Sequence, residues 1–442
     1  MPDDIVVVLP VAGEGERCWP LRHKQFLSFV GESLISRCLH QLEKAQFHRI
    51  VLVVNSQNRH LAETLISQFP SLSLSIVEQK KGKGIGAAIL SVSEIIQKRI
   101  VIISPHDVVE ETLVADFATQ IKKNPEALVV GKTVSSYFPG GYLEIANGKV
   151  DRITEKPKPG KNPSDTVALV YYYFQDGKKL IDSIKSTINK GDDQFESAIS
   201  DLLTGGLQME HLSYKGYWGY LKYSWDVLSI MEFFLSRIRP ANEGARVEEG
   251  AKIIGNVHME KGVVVHSGAV VSGPCFIGEG SIIGNNALVR NSHIGKHCMV
   301  GFGSEIARSY VGDSCWFHTN YVGDSVLSSN VSIGAGTVVA NFRLDEKEIF
   351  SYIHGEKKAT GRIKFGTAVG SHVRIGVQVS TMPGVKIGTN ACVGPGVLVH
   401  KDIPDGKTLI AQLSEPILLE NSVDIKQLER HNGVVHTKDL AR

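Results

Sequence analysis

A glycine-rich loop followed by two cationic side chains lies near the start of the chain. The loop has the sequence LPVAGEGERCWPL, in which Ala12, Gly13 and Gly15 precede Arg17, and Lys24 follows soon afterwards. Glycines let a backbone approach phosphate groups closely and present its N–H groups to them. Arg and Lys side chains neutralise phosphate charge. The loop therefore predicts a phosphate-binding site, with a tight strand-to-helix turn carrying solvated charges as the alternative.

Two carboxylates further along the chain could hold a cation beside that loop. Asp107 follows the apolar run Ile100–Ile103, and Asp226 follows an aromatic stretch that ends in Trp225. Mg²⁺ prefers carboxylate oxygens and phosphate groups as ligands, so such an aspartate can hold a cation that bridges phosphates. Either residue can instead cap the helix that follows it. The sequence leaves both interpretations open.

A histidine in the second half of the chain lies among polar side chains. His318 precedes Tyr321 by three residues, Asn341 follows, and Arg290 lies upstream. An imidazole with a pKa of about 6.5 can remove a proton from a substrate near neutral pH. A single histidine on a repeated structure is more often a surface or packing residue. The polar neighbours are therefore what favours a catalytic base at His318.

The front half alternates short β-branched runs with amphipathic stretches. Helical periodicity is found in Leu34–Ala45 and Leu61–Gln68. This alternation predicts an α/β domain around a buried, mostly parallel sheet, whose ligands bind at the carboxyl ends of the strands. The glycine-rich loop directly follows the first run, so it is expected at that edge. The predicted strands are Ile5–Leu9, Ile50–Val54, Leu74–Val77, Ile100–Ile103 and Ala127–Val130.

A short repeat fills most of the back half. From Ile253 to Val399 an aliphatic residue, usually followed by Gly, recurs about every six residues. This period predicts three short strands per coil of a triangular solenoid with the aliphatic side chains inside. The charged segment 342–363 breaks the repeat, and we expect a loop that either contributes to a site or lies idle on the surface. Clear copies of the repeat are Ile277-Gly278, Ile283-Gly284, Ile294-Gly295, Val300-Gly301, Val311-Gly312, Val322-Gly323, Ile333-Gly334, Val369-Gly370, Ile375-Gly376, Ile387-Gly388 and Val393-Gly394.

These patterns divide the chain into four parts. We predict an α/β domain over 1–238, a linker over 239–252, the solenoid over 253–403 and a tail over 404–442. The tail is polar, and the periodicity of Ser422–Arg430 predicts a helix. We expect the tail to cap the open end of the solenoid, as terminal elements of repeat arrays do.

Composition and charge argue against several kinds of partner. The 442 residues include 48 basic and 46 acidic side chains, so the net charge of +2 gives no argument for nucleic acid or a membrane as the main partner. Six cysteines without a C-x-x-C pair favour reduced thiols over a disulfide framework or a zinc site, and predict a cytoplasmic protein. No apolar segment is long enough to cross a bilayer.

The first loop resembles the signature of a known enzyme family. The spacing Gly13-x-Gly15-x-Arg17, with Pro20-Leu21 and a following Lys, is similar to that of the sugar-1-phosphate nucleotidyltransferases, and residues 17–27 resemble the mannose-1-phosphate guanylyltransferases most. This resemblance implies in-line transfer of a nucleotidyl group to a sugar-1-phosphate with Mg²⁺. It further implies catalysis by Arg17 and Lys24, nucleotide binding by Ala12, Gly13, Gly15, Gln79, Gly84 and Gly86, sugar-phosphate binding by Gly141, Glu155 and Lys156, and metal binding by Asp107.

The back half resembles a second set of enzymes. His318 with Tyr321, Asn341 and Arg290 is similar to the acetyltransferase site of the bifunctional enzymes that make UDP-N-acetylglucosamine, and more closely to their archaeal relatives. The resemblance implies a left-handed parallel β-helix that assembles as a homotrimer and uses acetyl-CoA. It implies that His318 is the base, that Arg290 and Lys364 bind the sugar phosphate, and that Tyr321 and Asn341 position the amino sugar and the acetyl group.

The chain departs from both patterns at specific positions. Tyr220 stands where relatives carry the second metal-binding Asp, so Asp226 is the candidate that remains. In the back half Ser332, Phe342 and Ala307 replace the Asn, Tyr and Lys of bacterial relatives. We expect a bifunctional enzyme that acetylates an amino-sugar-1-phosphate and then transfers a nucleotide, with UTP as donor. The alternatives are a mannose-1-phosphate guanylyltransferase whose solenoid only assembles subunits, and a non-catalytic nucleotide-sugar-binding subunit.

Overall fold

The computed structural model describes residues 1–2, 4–187 and 193–412. The predicted helix Ser422–Arg430 and most of the predicted tail lie outside the described residues. The front half contains β1 (Ile5–Pro10), β2 (Ser28–Phe29), β3 (Glu32–Ser33), α1 (Leu34–Lys44), β4 (Arg49–Val54), α2 (Arg59–Gln68), β5 (Ser73–Glu78), α3 (Gly84–Ser91), β6 (Arg99–Ile103), β7 (Val108–Val109), α4 (Glu111–Ile121), β8 (Ala127–Thr133), β9 (Gly141–Ala146), β10 (Lys149–Glu155), β11 (Thr166–Phe174), α5 (Gly177–Ser186), α6 (Gln194–Thr204), β12 (Met209–Ser213), β13 (Trp218–Gly219) and α7 (Asp226–Ser236).

The main sheet of the front half has the order β5-β4-β1-β6-β11-β8-β12-β10-β9. All five apolar runs predicted as strands belong to it, and β1, β4, β5 and β6 pair in parallel as expected. The sheet as a whole is mixed, because β11 runs antiparallel to both β6 and β8, and β9 and β10 form an antiparallel hairpin. A hydrophobic pattern does not encode strand direction, so the sequence could not reveal this reversal.

Apolar layers cover both faces of this sheet. One layer packs α1, α2 and α4 against the sheet, and the other packs α3, α5 and α6. The alternating side chains of β1 show the division, because Val7 belongs to the first layer and Val8 to the second. Both faces being buried explains why the strands are continuous apolar runs. The carboxyl ends of β1, β4, β5 and β6 therefore form the open edge of the domain.

The back half is a three-sided parallel solenoid interrupted by one hairpin. Its strands are β14 (Ala241–Asn242), β15 (Arg246–Val247), β16 (Lys252–Ile254), β17 (Val257–Met259), β18 (Val264–Val265), β19 (Val270–Ser272), β20 (Cys275–Ile277), β21 (Ile282–Ile283), β22 (Leu288–Arg290), β23 (His293–Ile294), β24 (Met299–Val300), β25 (Glu305–Ala307), β26 (Tyr310–Val311), β27 (Trp316–Phe317), β28 (Tyr321–Gly323), β29 (Val326–Leu327), β30 (Ser332–Ile333), β31 (Val338–Val339), β32 (Phe350–Ile353), β33 (Glu356–Ala359), β34 (Thr367–Val369), β35 (Arg374–Ile375), β36 (Ser380–Thr381), β37 (Val385–Ile387), β38 (Cys392–Val393), β39 (Leu398–Val399) and β40 (Thr408–Leu409).

Successive coils stack these strands into three parallel sheets. The first face is β14-β17-β20-β23-β26-β29-β34-β37, the second is β15-β18-β21-β24-β27-β30-β35-β38-β40, and the third is β16-β19-β22-β25-β28-β31-β36-β39. Most strands point one apolar side chain inward, and these side chains form a continuous buried column. Consecutive coils satisfy one another's backbone groups, which is why the repeat needs its neighbours for stability.

The first coil begins earlier than the sequence predicts. Strands β14, β15 and β16 lie within or overlap 239–252, which we predicted as a linker, and each pairs in parallel with the strand of the next coil. The apolar signal is weak here because most of residues 241–256 are only partly buried or exposed. Terminal coils of repeat arrays are usually more polar for this reason.

The two halves pack directly against each other. Helix α7 contributes Val227 and Ile230 to a buried cluster that also contains Phe276, Tyr310 and Phe365 from the solenoid. The hydroxyl of Tyr310 donates to the carbonyl oxygen of Ser28 at 2.9 Å. The first face of the solenoid therefore contacts the front half at α7 and at Ser28.

Candidate active sites

The glycine-rich loop lies at the carboxyl end of β1, where the sequence predicted it. Ala12 and Val11 are fixed through their carbonyl oxygens, which accept from the side-chain amides of Asn55 and Asn58 at 2.8 Å each. Apart from its two neighbours in the chain, no described residue lies within 4 Å of the position that a β-carbon of Gly13 would occupy. The loop is thus anchored on one side and open on the other, as a phosphate site requires. Asn55 and Asn58 were missed by the sequence analysis, because two amides after a strand give no pattern of their own.

We expect Asn58→Ala to destabilise the loop. Asn58 is 1% exposed, and besides its bond to Val11 its side-chain oxygen accepts from the backbone N–H of Asn55 at 3.0 Å. Truncation leaves buried polar groups without partners, so the free energy of unfolding should fall by about 1–3 kcal/mol. Urea unfolding measures this loss, with the exposed Asn162→Ala as the control. Equal stability of the two variants would contradict the anchoring role.

Lys24 lies at the same edge, between the loop and the chain before α7. Its ammonium donates to the carbonyl oxygen of Leu221 at 2.8 Å. Gly15 has φ +67°, and a β-carbon on it would lie 3.9 Å from the Cδ of Lys24. Burial lowers the pKa of Lys24, while the charges on Asp107 and Asp226 act to raise it. The structure therefore brings both predicted carboxylates close to this ammonium.

Neither aspartate caps a helix. The N-cap of α4 is Glu110, not Asp107, and the N-cap of α7 is Trp225. Asp226 is the first residue of α7, and its carboxylate accepts from the backbone N–H groups of Lys222 and Tyr223 at 2.8 and 2.7 Å. The capping alternative is wrong for both residues, because β7 and not a helix follows Asp107, and Asp226 lies inside the first turn of α7 and accepts from residues that precede the helix.

The two carboxyls have the character expected of cation ligands. Burial raises the pKa of Asp107 to about 6 and that of Asp226 to about 6, and Lys24 opposes both shifts. Among the described residues, no three His, Cys, Asp or Glu side chains are grouped so as to hold a metal on their own. Mg²⁺ usually takes only one or two carboxylates and completes its shell with water and phosphate oxygens. The donor set of Asp107 and Asp226 therefore fits Mg²⁺ bound together with a nucleotide.

The predicted sugar-phosphate residues lie together at the end of β10. Lys156 has a left-handed backbone (φ +42°), and its ammonium pairs with Glu155 at 3.2 Å and with Asp193. Gly141 faces Glu155, because a β-carbon on it would lie 3.1 Å from the carboxylate. Burial raises the pKa of Glu155, and burial together with Glu155 raises the pKa of the adjacent Glu196 to about 7. These carboxyls and the lysine form a polar cluster whose donors and acceptors suit hydroxyl groups and phosphate.

Lys222 occupies the centre of this arrangement. Its ammonium donates to the carbonyl oxygen of Pro139 at 2.8 Å and lies 4.6 Å from the ring centre of Phe138. Burial, followed by the charges on Arg17 and Lys156, lowers its pKa to about 8, while Glu155 and Asp226 act to raise it. Lys222 therefore lies within electrostatic reach of Arg17 in the loop, of the sugar-phosphate residues Glu155 and Lys156, and of Asp226.

The sequence alone does not single out Lys222. No signature contains a lysine at this position, and its importance arises from the fold. The only signal in the sequence is its location: Lys222 lies two positions after Tyr220, in the stretch that departs from the family pattern. Arg17 itself is exposed on the open side of the loop.

The predicted base-recognition residues follow β5. The side-chain amide of Gln79 donates to the carbonyl oxygen of Gly82 at 3.1 Å, which shapes the turn before α3. Gly84 is the first residue of α3 and has φ +81°. Gly86 packs against α6, because a β-carbon on it would lie 3.3 Å from the side-chain oxygen of Gln194. The structure brings these residues to the same sheet edge as the loop.

Tyr220 is held in an aromatic cluster beside Asp107. Its ring centre lies 5.0 Å from that of Phe138 and 5.3 Å from that of Trp218. The indole of Trp218 acts on Asp107 and lowers its pKa. A phenol in this packing replaces a carboxylate, so the charge that relatives place here is absent from this position.

The second predicted site lies on the third face of the solenoid. Arg308 forms two bonds of 2.7 Å with the buried carboxylate of Asp324. The amide of Asn341 donates to that same carboxylate and to the Tyr321 hydroxyl at 3.3 Å. Gly323 leaves room for this network, because a β-carbon on it would lie 2.6 Å from both the amide and the hydroxyl. Tyr321 and Asn341 are thus brought together, on a support of Arg308 and Asp324 that the sequence analysis missed.

Three predicted acetyltransferase residues lie outside this network and are exposed or partly exposed, namely Arg290, His318 and Lys364. Arg290, two coils before, pairs with Glu305 at 2.6 Å, and Glu305 is the register neighbour of Tyr321. His318 is exposed at the corner before β28, where its backbone N–H donates to the side chain of Asn320 at 2.6 Å. Lys364 is exposed and forms an isolated antiparallel β-bridge with Phe342.

The three residues that differ from the expected acetyltransferase pattern lie in different parts of the solenoid. Phe342 bridges to Lys364, whose ammonium lies 5.8 Å from the centre of its ring. Ala307 is fully buried and stands in register with Arg290. Ser332 belongs to the second face, where it is the register neighbour of Trp316. Phe342 and Ala307 therefore lie next to predicted substrate-binding residues, whereas Ser332 lies on a different face from Arg290.

No helix among residues 1–2, 4–187 and 193–412 is long and apolar enough to cross a membrane. The thiols of all six cysteines are free.

Comparisons with known proteins match both halves of the chain. Residues 6–221 match the model of the nucleotidyl transferase family. The bifunctional sugar-1-phosphate nucleotidylyltransferase/acetyltransferase of Sulfurisphaera tokodaii is 32% identical over 409 residues, which cover 90% of this chain and 97% of that protein. The bifunctional protein GlmU of Methanocaldococcus jannaschii is 31% identical over 424 residues, covering 93% and 98% of the two chains. A solved UDP-glucose pyrophosphorylase from Acinetobacter baumanii aligns with 52% of this chain and 93% of its own at 19% identity and a TM-score of 0.44.

Proposed function

The chain belongs to the family of bifunctional sugar-1-phosphate nucleotidylyltransferase/acetyltransferases, and we propose that each activity has its own site, one in each half. The nucleotidyl-transfer site is the edge of the front sheet formed by the glycine-rich loop, Asp107 and Lys222. The acetyl-transfer site is the third face of the solenoid around Tyr321 and Asn341. The observation that carries the first assignment is the position of Lys222, whose backbone N–H donates to Asp226 at 2.8 Å and whose ammonium is acted on by the charges of Arg17, Lys156 and Glu155.

Nucleotidyl transfer depends on holding two phosphates in line. An oxygen of the sugar-1-phosphate attacks the α-phosphorus of the nucleoside triphosphate, the bond from that phosphorus to the β-phosphate bridge breaks, and pyrophosphate leaves. In our proposal Arg17 and Lys24 bind the triphosphate, and Lys156 binds the sugar phosphate. Lys222 lies between the two groups and neutralises charge that develops as they approach. No side chain needs to act as a nucleophile.

Asp107 and Asp226 would hold Mg²⁺, which supplies further charge neutralisation when it is bound with the nucleotide. Gly141 and Glu155 would accept the sugar, since the glycine leaves space beside the carboxylate and the carboxylate accepts hydroxyl groups. Gln79, Gly84 and Gly86 would contact the base, and Ala12, Gly13 and Gly15 the phosphates. We favour UTP as the donor on the basis of Gln79 and of the acetyltransferase-like back half.

Acetyl transfer requires one proton to be removed from an amine. In our proposal His318 takes a proton from the amino group of an amino-sugar-1-phosphate as that nitrogen attacks the thioester carbonyl of acetyl-CoA. The carbon–sulfur bond then breaks and the thiol of coenzyme A leaves. Tyr321 and Asn341 position the amine and the acetyl group, and Arg290 and Lys364 bind the sugar phosphate.

We further propose a left-handed solenoid that assembles as a homotrimer. Three-sided solenoids of this repeat length resemble the left-handed acyltransferase fold, in which active sites lie between subunits. The exposed position of His318 supports a site that a neighbouring copy completes. We expect the enzyme to act in the cytoplasm, where its free thiols stay reduced.

Replacing Lys222 tests the proposed site at its centre. Lys222→Met should lower kcat/KM for pyrophosphate release by about 10- to 100-fold, because a charge-assisted contact to phosphate is lost. Acetyl transfer should be unaffected. The exposed Lys215→Met, seven positions earlier, is the matched control. If both variants retain the wild-type kcat/KM, Lys222 does not contact the reacting phosphates.

The donor and the sugar can be identified with one set of assays. Pyrophosphate release by the full-length protein would be measured with Mg²⁺ for UTP, dTTP and GTP, each with glucose-, N-acetylglucosamine- and mannose-1-phosphate. We expect turnover with UTP and N-acetylglucosamine-1-phosphate. Turnover with GTP and mannose-1-phosphate would favour a guanylyltransferase instead. If the folded protein releases no pyrophosphate in any combination, the nucleotidyl-transfer assignment is contradicted and a binding role for the front half is favoured.

A further inference from the structure

The segment 342–363 is not an idle loop. Its strands β32 and β33 form an antiparallel hairpin whose base starts next to Asn341 and ends at Lys364. From there it reaches the front half, where Ile349 and Ile353 are buried in the same cluster as Cys18 of the glycine-rich loop region. An insertion in the solenoid thus packs against the segment that carries Arg17.

A buried lysine joins the hairpin to the last coil and to the front half. Lys386, in β37, has a side chain that is 1% exposed. Its ammonium donates to the Ser351 hydroxyl at 2.9 Å and to the Tyr352 carbonyl oxygen at 2.5 Å, and it pairs with Asp402 at 2.6 Å. It also lies 5.5 Å from the ring centre of Trp19. A buried charge persists only where such partners replace its water, so these elements are fixed relative to one another.

The last coil makes a second connection to the same segment. The carboxylate of Asp405 accepts from the indole N–H of Trp19 at 3.0 Å and from the guanidinium of Arg22 at 2.6 Å. The backbone N–H of Thr389 donates to it at 2.7 Å, which fixes the carboxylate on the solenoid. Arg22 lowers the pKa of Asp405, although burial acts to raise it, so the acceptor is charged at neutral pH.

Residues on both sides of Arg17 in the chain contact the solenoid or its hairpin. Trp19 and Arg22 follow Arg17 by two and five residues, and Glu16, which precedes it, has its carboxylate 4.0 Å from the imidazole of His354 at the hairpin turn. We infer that the solenoid is a working part of the nucleotidyl-transfer site. Its hairpin and last coil, joined by Lys386 and Asp405, position the segment 16–22 so that Arg17 meets the nucleotide. Lys386 and Asp405 are therefore positioning residues for the front site, and this inference rests on the proposed function of that site.

The test compares nucleotide use by full-length variants. Lys386→Met removes the buried ammonium, and Asp405→Ala removes the partly exposed carboxylate, which is the variant less able to disturb folding. Both should raise KM for the nucleoside triphosphate by at least about tenfold, because a small displacement of a substrate-positioning group has large kinetic effects. Acetyl-transfer kinetics should stay within about twofold, since no group of that site is altered. Lys386→Arg should restore part of the loss by keeping the charge.

Controls separate positioning from general damage. The exposed Lys407→Met is the matched control and should behave as the wild type. Unchanged KM in Asp405→Ala and Lys386→Met would overturn the inference while leaving the nucleotidyl-transfer assignment intact. Parallel loss of both activities and of cooperative thermal unfolding in both variants would also overturn it, because the residues would then be structural only. Absence of pyrophosphate release by the wild type would instead contradict the proposed function itself.

Discussion

Arg17→Ala is expected to abolish pyrophosphate release while acetyl transfer continues at the wild-type rate. The guanidinium is exposed on the open side of the glycine-rich loop, and its charge acts on both Lys24 and Lys222. Preorganised cationic donors of this kind contribute about 10²- to 10³-fold to kcat in sites that stabilise developing negative charge. The measurement is pyrophosphate release, followed alongside release of the coenzyme A thiol from the same preparation.

A control in the same domain makes this result specific. Arg152 is exposed on β10, away from the loop, and Arg152→Ala should leave both activities unchanged. Loss of both activities in a folded Arg17→Ala protein would contradict two separate sites. Pyrophosphate release within about threefold of the wild type would remove Arg17 from the phosphate site, since a lost charge-assisted contact costs more than that.

His318→Ala is expected to have the opposite effect, abolishing acetylation and sparing pyrophosphate release. His318 is exposed at a corner of the solenoid, close in sequence to the network of Tyr321 and Asn341. Loss of a general base typically lowers a rate by about 10²- to 10⁴-fold. The measurement is thiol release from acetyl-CoA with glucosamine-1-phosphate as acceptor.

The solenoid offers a matched control for this substitution. His297 is exposed at a different corner of the solenoid, between β23 and β24, and His297→Ala should leave acetylation unchanged. An unchanged acetylation rate in His318→Ala would eliminate His318 as the base. Equal losses in the two histidine variants would indicate damage to the coils and not the loss of a proton acceptor.

The sequence predicted the elements that follow from local patterns. Apolar runs identified β1, β4, β5, β6 and β8, because a buried strand must be apolar on both faces. The six-residue repeat predicted the solenoid, since its inward positions recur at a fixed spacing. The antiparallel direction of β11 and the early first coil were not predictable. Strand direction leaves no trace in hydrophobicity, and an end coil has few inward side chains.

The candidate sites also contain residues that the sequence indicates and residues that only the structure reveals. Glycines with a nearby Arg and Lys are recognisable as a phosphate loop, because backbone freedom and charge are both properties of residue types. Asn58, Lys222 and Lys386 could not be selected in this way. Each acts through partners that are distant in sequence, such as Val11 for Asn58 and Ser351 for Lys386. Their roles depend on tertiary contacts, which lie within the front half for Asn58 and Lys222 and extend across both halves for Lys386.

Mixing the two inactive variants tests the division of labour most directly. The full-length Arg17→Ala and His318→Ala proteins would each be incubated with glucosamine-1-phosphate, acetyl-CoA, UTP and Mg²⁺, and then combined in one reaction. Mass spectrometry would detect the N-acetylated nucleotide sugar. We predict no such product from either variant alone, and its formation at a substantial rate from the mixture. Formation of the product by one variant alone, or its absence from the mixture when the wild type produces it, would contradict two independent sites in one chain.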